Sequence, residues 1–481
     1  MKVLLINPPR ENEIVGNNPS IIEEERGYNP PLGILYVAAY VEEQTSHEVA
    51  VIDSQVEELS YEALTKRIAD FAPDVVGIST MTLCLFDVMK VIETAKEVVP
   101  SAKIVLGGPH VHLYPDETIE LKGVDFLILG EGEVSFVKLL DALQDKVPFD
   151  EVKGLVYREG GKVVKTGMSE LVADLDVFPH PARHLVPFEK YTSILSELNP
   201  ITTMFTSRGC PYKCTFCDRP HLGKRFRARS AASVVDEFIK CKEMGIKFVL
   251  VYDDTFTVNK KRVIDTCDLL IEKKVGLKFD IRARVDTMNT EMLKKLKAAG
   301  CTGIHYGVES GTDRILGVLD KQINLELVKS VFKETMDMGM KTLGYFMIGC
   351  PTETREEMDE TIDFACRLKA DYVHMTVLTP FPGTKIYDMA LAEGVIKTDV
   401  WREFAANPSV DFVPPIYAGI YKREELMAIL MQGYKKFYTR PGYIFHKVLE
   451  LRSTAQLKKY VKAGLKIINP DKSNLPESSK H

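Results

Sequence analysis

The chain is 481 residues long, 45% hydrophobic and 27% charged, with 62 basic against 68 acidic side chains and a formal net charge of -6. That length suits two or three domains of about 100 to 200 residues, and the mildly acidic balance excludes a polycationic nucleic-acid binder. No apolar run approaches the ~18 residues of a membrane span, Met1–Ile6 meets Asn7-Pro8-Pro9 too early for a secretory signal, and nine cysteines without such a signal point to the reducing cytoplasm.

Residues 1–145 alternate short apolar runs with helical periodicity, the pattern of a doubly wound parallel sheet. The runs are Lys2–Asn7, Glu48–Asp53, Asp74–Ser79, Lys103–Gly107 and Val124–Leu129. Open sheets of this kind bind ligands beyond the carboxyl ends of their strands. Those ends carry Asn7 and Pro8, Asp53-Ser54, Ser79 and Thr80, Gly107-Gly108-Pro109-His110-Val111-His112, and Gly130-Glu131-Gly132-Glu133. None is a GxGxxG dinucleotide fingerprint; the glycines admit close approach of backbone to a large flat or polyanionic ligand. Residues 146–200 read as a connector, with a hairpin of Gly154–Tyr157 and Lys162–Lys165 around Gly160-Gly161 and an extended crossing segment at Phe178–Arg183.

From 201 to 385 the alternation resumes with longer helices, and six strands are predicted at Thr202–Phe205, Lys247–Tyr252, Lys278–Ile281, Gly303–Gly307, Leu343–Ile348 and Tyr372–Val377. Behind the first comes Cys210-Pro-Tyr-Lys-Cys214-Thr-Phe-Cys217. This spacing lets one tight loop deliver three thiolates to one corner, and a cubane iron-sulfur cluster usually takes four, so one iron is left open for a small chelating ligand. The alternative is a zinc knuckle completed by His221, although no second CxxC is present. Cys241, Cys267 and Cys366 fall on apolar helix faces, Cys301 begins a strand, and Cys84 and Cys350 stand near domain mouths; all six read as structural.

The triad, with aromatic Phe216 before its last cysteine, resembles the signature of the radical S-adenosylmethionine (SAM) superfamily. The resemblance implies one [4Fe-4S] cluster on Cys210, Cys214 and Cys217 and a partial (βα)6 TIM-like barrel, which carries its chemistry at the strand carboxyl ends. Further groups for SAM then stand at successive strand ends: Asp253 and Asp254 for the methionine ammonium, where the family more often has Gly-Gly-Glu, and Arg282 and Arg284 for its carboxylate. Glu309 and Ser310 would serve ribose or ammonium, and Gly349 would let adenine lie against backbone.

The preceding domain resembles the Rossmann-like cobalamin-binding domain of B12-dependent radical SAM enzymes, through Asn7-Pro8-Pro9, Pro30-Pro31-Leu32-Gly33, Gly107-Gly108-Pro109-His110 and Gly130-Glu131-Gly132-Glu133. It departs from methionine-synthase-like domains in lacking Asp-x-His-x-x-Gly after the first strand. Cobalamin is implied at Asn7, Pro8, Ser79, Thr80, Gly107, Gly108, His110, Gly130 and Glu131, with its own base displaced. In that family a segment like 178–191 passes near the substrate channel, which makes Arg183, His184 and Tyr191 further candidates.

Residues 386–470 read as a C-terminal helical domain, similar to the tail of anaerobic magnesium-protoporphyrin monomethyl ester cyclases and lipid-modifying relatives, and 471–481 as a disordered tail. Lys447, Arg452, Lys458, Lys459, Lys462 and Lys466 interleave with Tyr443, Phe445, Leu449, Leu457 and Val461, which suggests a basic amphipathic surface, by default a solvated helix face and alternatively one for peripheral membrane contact. The expected function is a radical SAM C-methyltransferase using a 5'-deoxyadenosyl radical and methylcobalamin. A cyclase-type oxidative enzyme and a non-catalytic zinc or corrinoid carrier are the alternatives. Expected partners are a small-molecule substrate of lipid-like or tetrapyrrole kind and an electron donor such as flavodoxin or ferredoxin, with no nucleic acid.

Overall fold

The computed structural model describes residues 1–17, 27–196, 198–218, 225–417, 419 and 421–450. His221 and the stretch from Arg452 through Lys466 to the tail lie outside the described residues, so the expectations placed on them do too.

The first sheet contains β1 (Lys2–Asn7), β2 (Glu48–Asp53), β3 (Val75–Ser79), β4 (Lys103–Gly107), β5 (Phe126–Ile128), β6 (Leu155–Glu159) and β7 (Lys162–Lys165) in the order β2-β1-β3-β4-β5-β6-β7. The β1–β5 pairs are parallel, while β6 and β7 join antiparallel. Helices α1 (Leu32–Gln44), α2 (Tyr61–Phe71), α3 (Leu85–Val98), α4 (Pro109–Leu113), α5 (Pro115–Ile119) and α6 (Gly132–Ala142) accompany them. Val3 and Leu5 face the core shared with α1 and α6, and Leu4 and Ile6 face the core shared with α2 and α3. Burial on both faces explains why β1 reads as an unbroken apolar run rather than an alternating one. The hairpin predicted inside the connector is therefore the antiparallel edge of this first sheet.

The second sheet is an open half-barrel of parallel strands, β8 (Ile201–Met204), β11 (Phe248–Val251), β12 (Lys278–Ala283), β13 (Cys301–Glu309), β14 (Lys341–Ile348) and β15 (Tyr372–Val377), ordered β15-β14-β13-β12-β11-β8. A two-stranded ribbon of β9 (Ser207–Arg208) and β10 (Arg227–Ala228) brackets the cysteine loop. Outside run α7 (Ala231–Glu243), α8 (Lys260–Glu272), α9 (Thr290–Ala299), α10 (Asp313–Val318), α11 (Leu325–Asp337) and α12 (Arg355–Leu368). Side-chain capping starts most of them, including a full capping box between Thr354 and Glu357 at α12. Phe279 and Ile281, Ile304 and Tyr306, Phe346 and Ile348, and Val373 and Met375 all pack beneath these helices. Period-two alternation then puts Asp280, Arg282, His305, Tyr345 and His374 on the concave face.

Among the described residues four helices follow: α13 (Lys385–Ala392), α14 (Val400–Ala406), α15 (Arg423–Tyr438) and α16 (Pro441–Glu450). Ile386, Tyr387, Ala390, Trp401 and Ala405 of α13 and α14 cluster with Tyr114, Ile315 and Met347, while α15 packs into the barrel. Leu426, Leu430, Tyr434 and Phe437 of α15 belong to the same cluster as the barrel strands. The Tyr434 hydroxyl accepts from Met375 N and donates to Met375 O, both at 2.8 Å, which satisfies backbone groups along the edge strand β15. Lys447 is buried, 3.7 Å from Asp371 and over the Tyr372 ring, and Tyr443 donates to Asp371 O, so neither joins a solvent-facing basic surface. Phe445 and Leu449 are exposed. Among the described residues, no helix is long and apolar enough to cross a membrane.

The two sheets share an interface. Leu35, Tyr191, Ile201, Phe248 and Leu250 form one cluster across it. Arg183 is buried against Glu237 (2.6 Å), Thr202 Oγ1 and Thr203 O, and Arg229 pairs with the same Glu237. Tyr191 donates to Asp53 at 2.7 Å. Arg183 thus ties this segment to the barrel and Tyr191 ties it to the first sheet, while His184 meets Glu42 on the surface.

Candidate functional site

The cysteine loop leaves β9 through Gly209, whose φ of +81° favours glycine. Its middle is anchored by Thr215, which donates to Leu319 O and accepts from Ile386 N, each at 3.0 Å. Cys210 and Cys214 are half-buried and Cys217 is exposed. Cys210 Sγ stands 3.8 Å from Thr255 Oγ1, and Arg284 Nη1 stands 3.6 Å from Cys214 Sγ. Burial pushes the Cys214 thiol up, and the positive charges of Lys321 and Arg284 oppose that shift.

Arg284 is fixed in place by a bidentate pair to Asp286 at 2.9 Å, a bond to Lys321 O at 2.6 Å and stacking on Tyr212 at 3.8 Å. Lys321 Nζ meets Glu309 at 2.7 Å in a buried pair and lies 5.7 Å above Phe216. Gly307 makes room for that pair: a Cβ there would stand 2.5 Å from Glu309 Oε1 and 2.9 Å from Lys321 Nζ. Lys321 carries no local sequence signal and was missed. Two fixed cations beside the loop suit a site whose thiolates bring negative charge.

The remaining expected SAM residues divide. Asp254 is exposed at the end of β11. Asp253 is fully buried and accepts from Thr206 N (2.6 Å), Thr206 Oγ1 (2.5 Å), Ser207 N (3.1 Å) and Ser207 Oγ (2.6 Å), so its carboxylate braces the start of the loop instead of facing a ligand. Ser310 is buried beside Thr361 and Thr312. Gly349 is covered by Leu426 of α15, whose methyl would stand 3.1 Å from a Cβ, and offers no bare backbone to a base. Arg282 is stacked on Tyr252 at 3.8 Å.

Beyond Gly349, Glu353 turns back to accept from Cys350 N at 2.9 Å with its other oxygen buried and unpartnered, and burial raises its pKa to about 7. The folded state therefore keeps a proton that the unfolded chain loses above its ordinary 4.5. Stability should fall as pH rises from about 4.5 through 7, by up to about 3 kcal/mol. Glu353→Gln is expected to unfold later than wild type at pH 8 and alongside it at pH 5, as read by thermal melts; a constant gap would remove this titration from the account.

At the ends of the first sheet, Asn7 donates to Asp53 at 2.7 Å and Pro8 O accepts from Gln55. Ser79 is partly exposed, and a Cβ on Gly107 would meet nothing within 4 Å, so a ligand can approach there. Thr80 is buried and donates to Gly107 O at 2.7 Å; Gly108, with φ +106°, passes so close to Thr80 O that a Cβ would stand 2.8 Å away. His110 is fully buried, with Nδ1 3.0 Å from Thr82 Oγ1, and burial pushes its pKa down to about 3. It is a neutral internal group whose Nε2 is buried without a hydrogen-bond partner. Gly130, at φ +82°, has Ser169 Oγ 3.1 Å from its Cβ position.

Glu131 is not open to a ligand either. It meets Arg208 at 2.9 Å and Arg227 at 2.7 Å, while Glu133 meets Arg208 at 2.5 Å. Burial lifts the Glu131 pKa, but Arg227 and Arg208 outweigh it and hold the carboxyl below its usual range. The Arg208 guanidinium also lies over Tyr36 and Phe178, 5.3 and 5.0 Å from their rings. Arg208 is two residues before Cys210, so this clamp ties the end of the first sheet to the root of the cysteine loop. A second meeting point lies at Gly383, where a Cβ would touch Leu113 of α4 and Asp218 of the loop.

Among the described residues no three His, Cys, Asp or Glu side chains gather closely enough to hold a single metal ion.

The family model described as "B12 binding domain" matches residues 20–140, and the one described as "Radical SAM superfamily" matches residues 204–365. An uncharacterized methyltransferase of Pyrococcus horikoshii is 35% identical over 94% of this chain and 95% of its own length. The anaerobic magnesium-protoporphyrin IX monomethyl ester cyclase of Rubrivivax gelatinosus is 28% identical, covering 96% of this chain and 83% of that protein. The solved structure of the cobalamin-dependent SAM radical enzyme OxsB, with aqua-cobalamin and SAM bound, superposes with a TM-score of 0.75 at 20% identity over 96% of this chain and 70% of that one.

Proposed function

The chain belongs to the family of radical SAM enzymes that carry a B12-binding domain, and on that premise we propose that it methylates an unactivated carbon of a small-molecule substrate. The observation that carries this reading is the convergence of both sheets' strand ends on one cysteine loop, held by Arg208 between Glu131 and Glu133. When bound, the cluster supplies one-electron cleavage of SAM and cobalamin supplies a transferable methyl group, chemistry that belongs to the cofactors.

The protein's part is to hold and orient. Cys210, Cys214 and Cys217 would ligate the cluster. Lys321 and Glu309 offer fixed charges of both signs beside it for the carboxylate and ammonium of methionine, while Arg284, paired with Asp286, faces the Cys214 thiolate. Asp254 and Thr255 stand on the Cys210 side. Ser79 and Gly107 present the open strand ends for the corrinoid, and Asn7, Pro8, Gly108 and Gly130 shape the loops around them. A one-electron donor of flavodoxin or ferredoxin type in a reducing cytoplasm completes the requirement.

Glu309→Gln is expected to raise the SAM concentration for half-saturation about tenfold while iron content stays constant, since one charge-assisted hydrogen bond is worth about 1.5 to 3 kcal/mol. Unchanged SAM dependence would remove Glu309 from the site. The reading itself is tested by product analysis under anaerobic turnover. Methylated product with S-adenosylhomocysteine and 5'-deoxyadenosine is expected; an oxidised, unmethylated product would assign the chain to cyclase-type chemistry.

A further inference from the structure

The concave face of the half-barrel is polar, and among the described residues one of its charges has no counter-charge. His305 Nε2 lies 3.5 Å from Asp280, the His305 and Tyr345 rings meet edge-on at 6.3 Å, and Tyr345 and His374 do the same at 5.6 Å. Beside them Arg282 lies flat on Tyr252, 3.8 Å from the ring centroid, with the Tyr345 hydroxyl within reach. Its Nε is buried without a hydrogen-bond partner, and among the described residues no carboxylate stands within 4.0 Å of its guanidinium. Arg284, two positions on, is neutralised bidentately by Asp286. The two arginines expected to share one role therefore stand in opposite electrostatic states.

A guanidinium presents five donors in a planar fork suited to two oxygens of one oxyanion. Leaving it partly buried and unpaired is unfavourable unless an anion completes it. Stacking on Tyr252 holds the fork in orientation, and Asn29 donates to the Tyr252 hydroxyl at 3.3 Å, so the first domain braces the platform. The geometry points to Arg282, beside Tyr345, as a seat for an oxyanion of the substrate, a carboxylate or a phosphate, distinct from the thiol-facing Arg284. The inference rests on the methyltransferase reading and narrows its substrate to an anion-bearing molecule whose charged group enters the barrel; a wholly uncharged lipid does not fit.

The test uses the full chain reconstituted with cluster and corrinoid. Thermal midpoints are titrated with inorganic phosphate and, separately, with acetate, against chloride at matched ionic strength, in wild type, Arg282→Gln and Arg282→Lys. SAM binding is measured in parallel by equilibrium dialysis. Phosphate or acetate should raise the wild-type midpoint, with the half-effective concentration at least tenfold higher in Arg282→Gln and intermediate in Arg282→Lys, and SAM binding should stay within twofold in all three. Whichever anion acts identifies the oxyanion class. An absent wild-type response, or an equal one in all three proteins, would overturn the seat. A tenfold loss of SAM affinity in Arg282→Gln would also overturn it and assign this arginine to methionine. Failure of wild type to cleave SAM would instead refute the parent function, because the anion titration needs no turnover.

Discussion

Alanine at Cys210, Cys214 or Cys217 should abolish SAM cleavage in the anaerobically reconstituted protein while corrinoid binding persists. The loop supplies three thiolates, and each is needed if a cubane is to keep three irons bound and one open. The corrinoid candidates stand on a different sheet with its own two-faced core, so loss of the cluster removes none of their support. Iron content, 5'-deoxyadenosine yield and corrinoid retention are the three readouts. Loss of corrinoid in all three variants would mean that the loop itself forms part of that site.

Breaking the clamp at Arg208 should cost stability on the scale of a core substitution. Its side chain is about nine-tenths buried, and Glu131 and Glu133 are more deeply buried still. Arg208→Met leaves Glu133 without its cation and Glu131 with Arg227 alone. Removing one partner of a buried pair typically costs about 3 to 5 kcal/mol, because the remaining charge is left desolvated. The double variant Arg208→Met with Glu133→Leu should recover part of that loss by removing the stranded carboxylate. Urea unfolding measures both. A single-variant loss under about 1 kcal/mol would place the clamp with exposed pairs and remove the mechanical link between the first sheet and Cys210.

Much of the fold was legible because its signals are local. Lys2–Asn7, Glu48–Asp53, Lys103–Gly107 and Tyr372–Val377 form strands over the ranges that their apolar runs predict. The cysteine spacing needs nothing beyond one loop to be read. Strand ends likewise told where a site would form, but not what covers it. His110 and Thr80 are turned inward, Gly349 lies beneath Leu426, and Asp253 is consumed by four hydrogen bonds. Glu131 finds its cations 77 and 96 positions away, a distance over which no periodicity carries information. Lys321 was missed for the same reason: its partners Glu309 and Phe216 are brought to it by separate strand ends. The hairpin at β6–β7 was seen as a hairpin, yet only its pairing with β5 reveals which sheet it extends.

The central claim is that one cysteine loop serves a SAM-cleaving cluster facing a corrinoid. Full-length protein reconstituted anaerobically with iron, sulfide and hydroxocobalamin, then given SAM and dithionite, tests it most directly through release of 5'-deoxyadenosine. The account predicts about four irons per chain, retained corrinoid and 5'-deoxyadenosine formation that requires all three cysteines. A chain that holds zinc in place of iron and leaves SAM intact would contradict it.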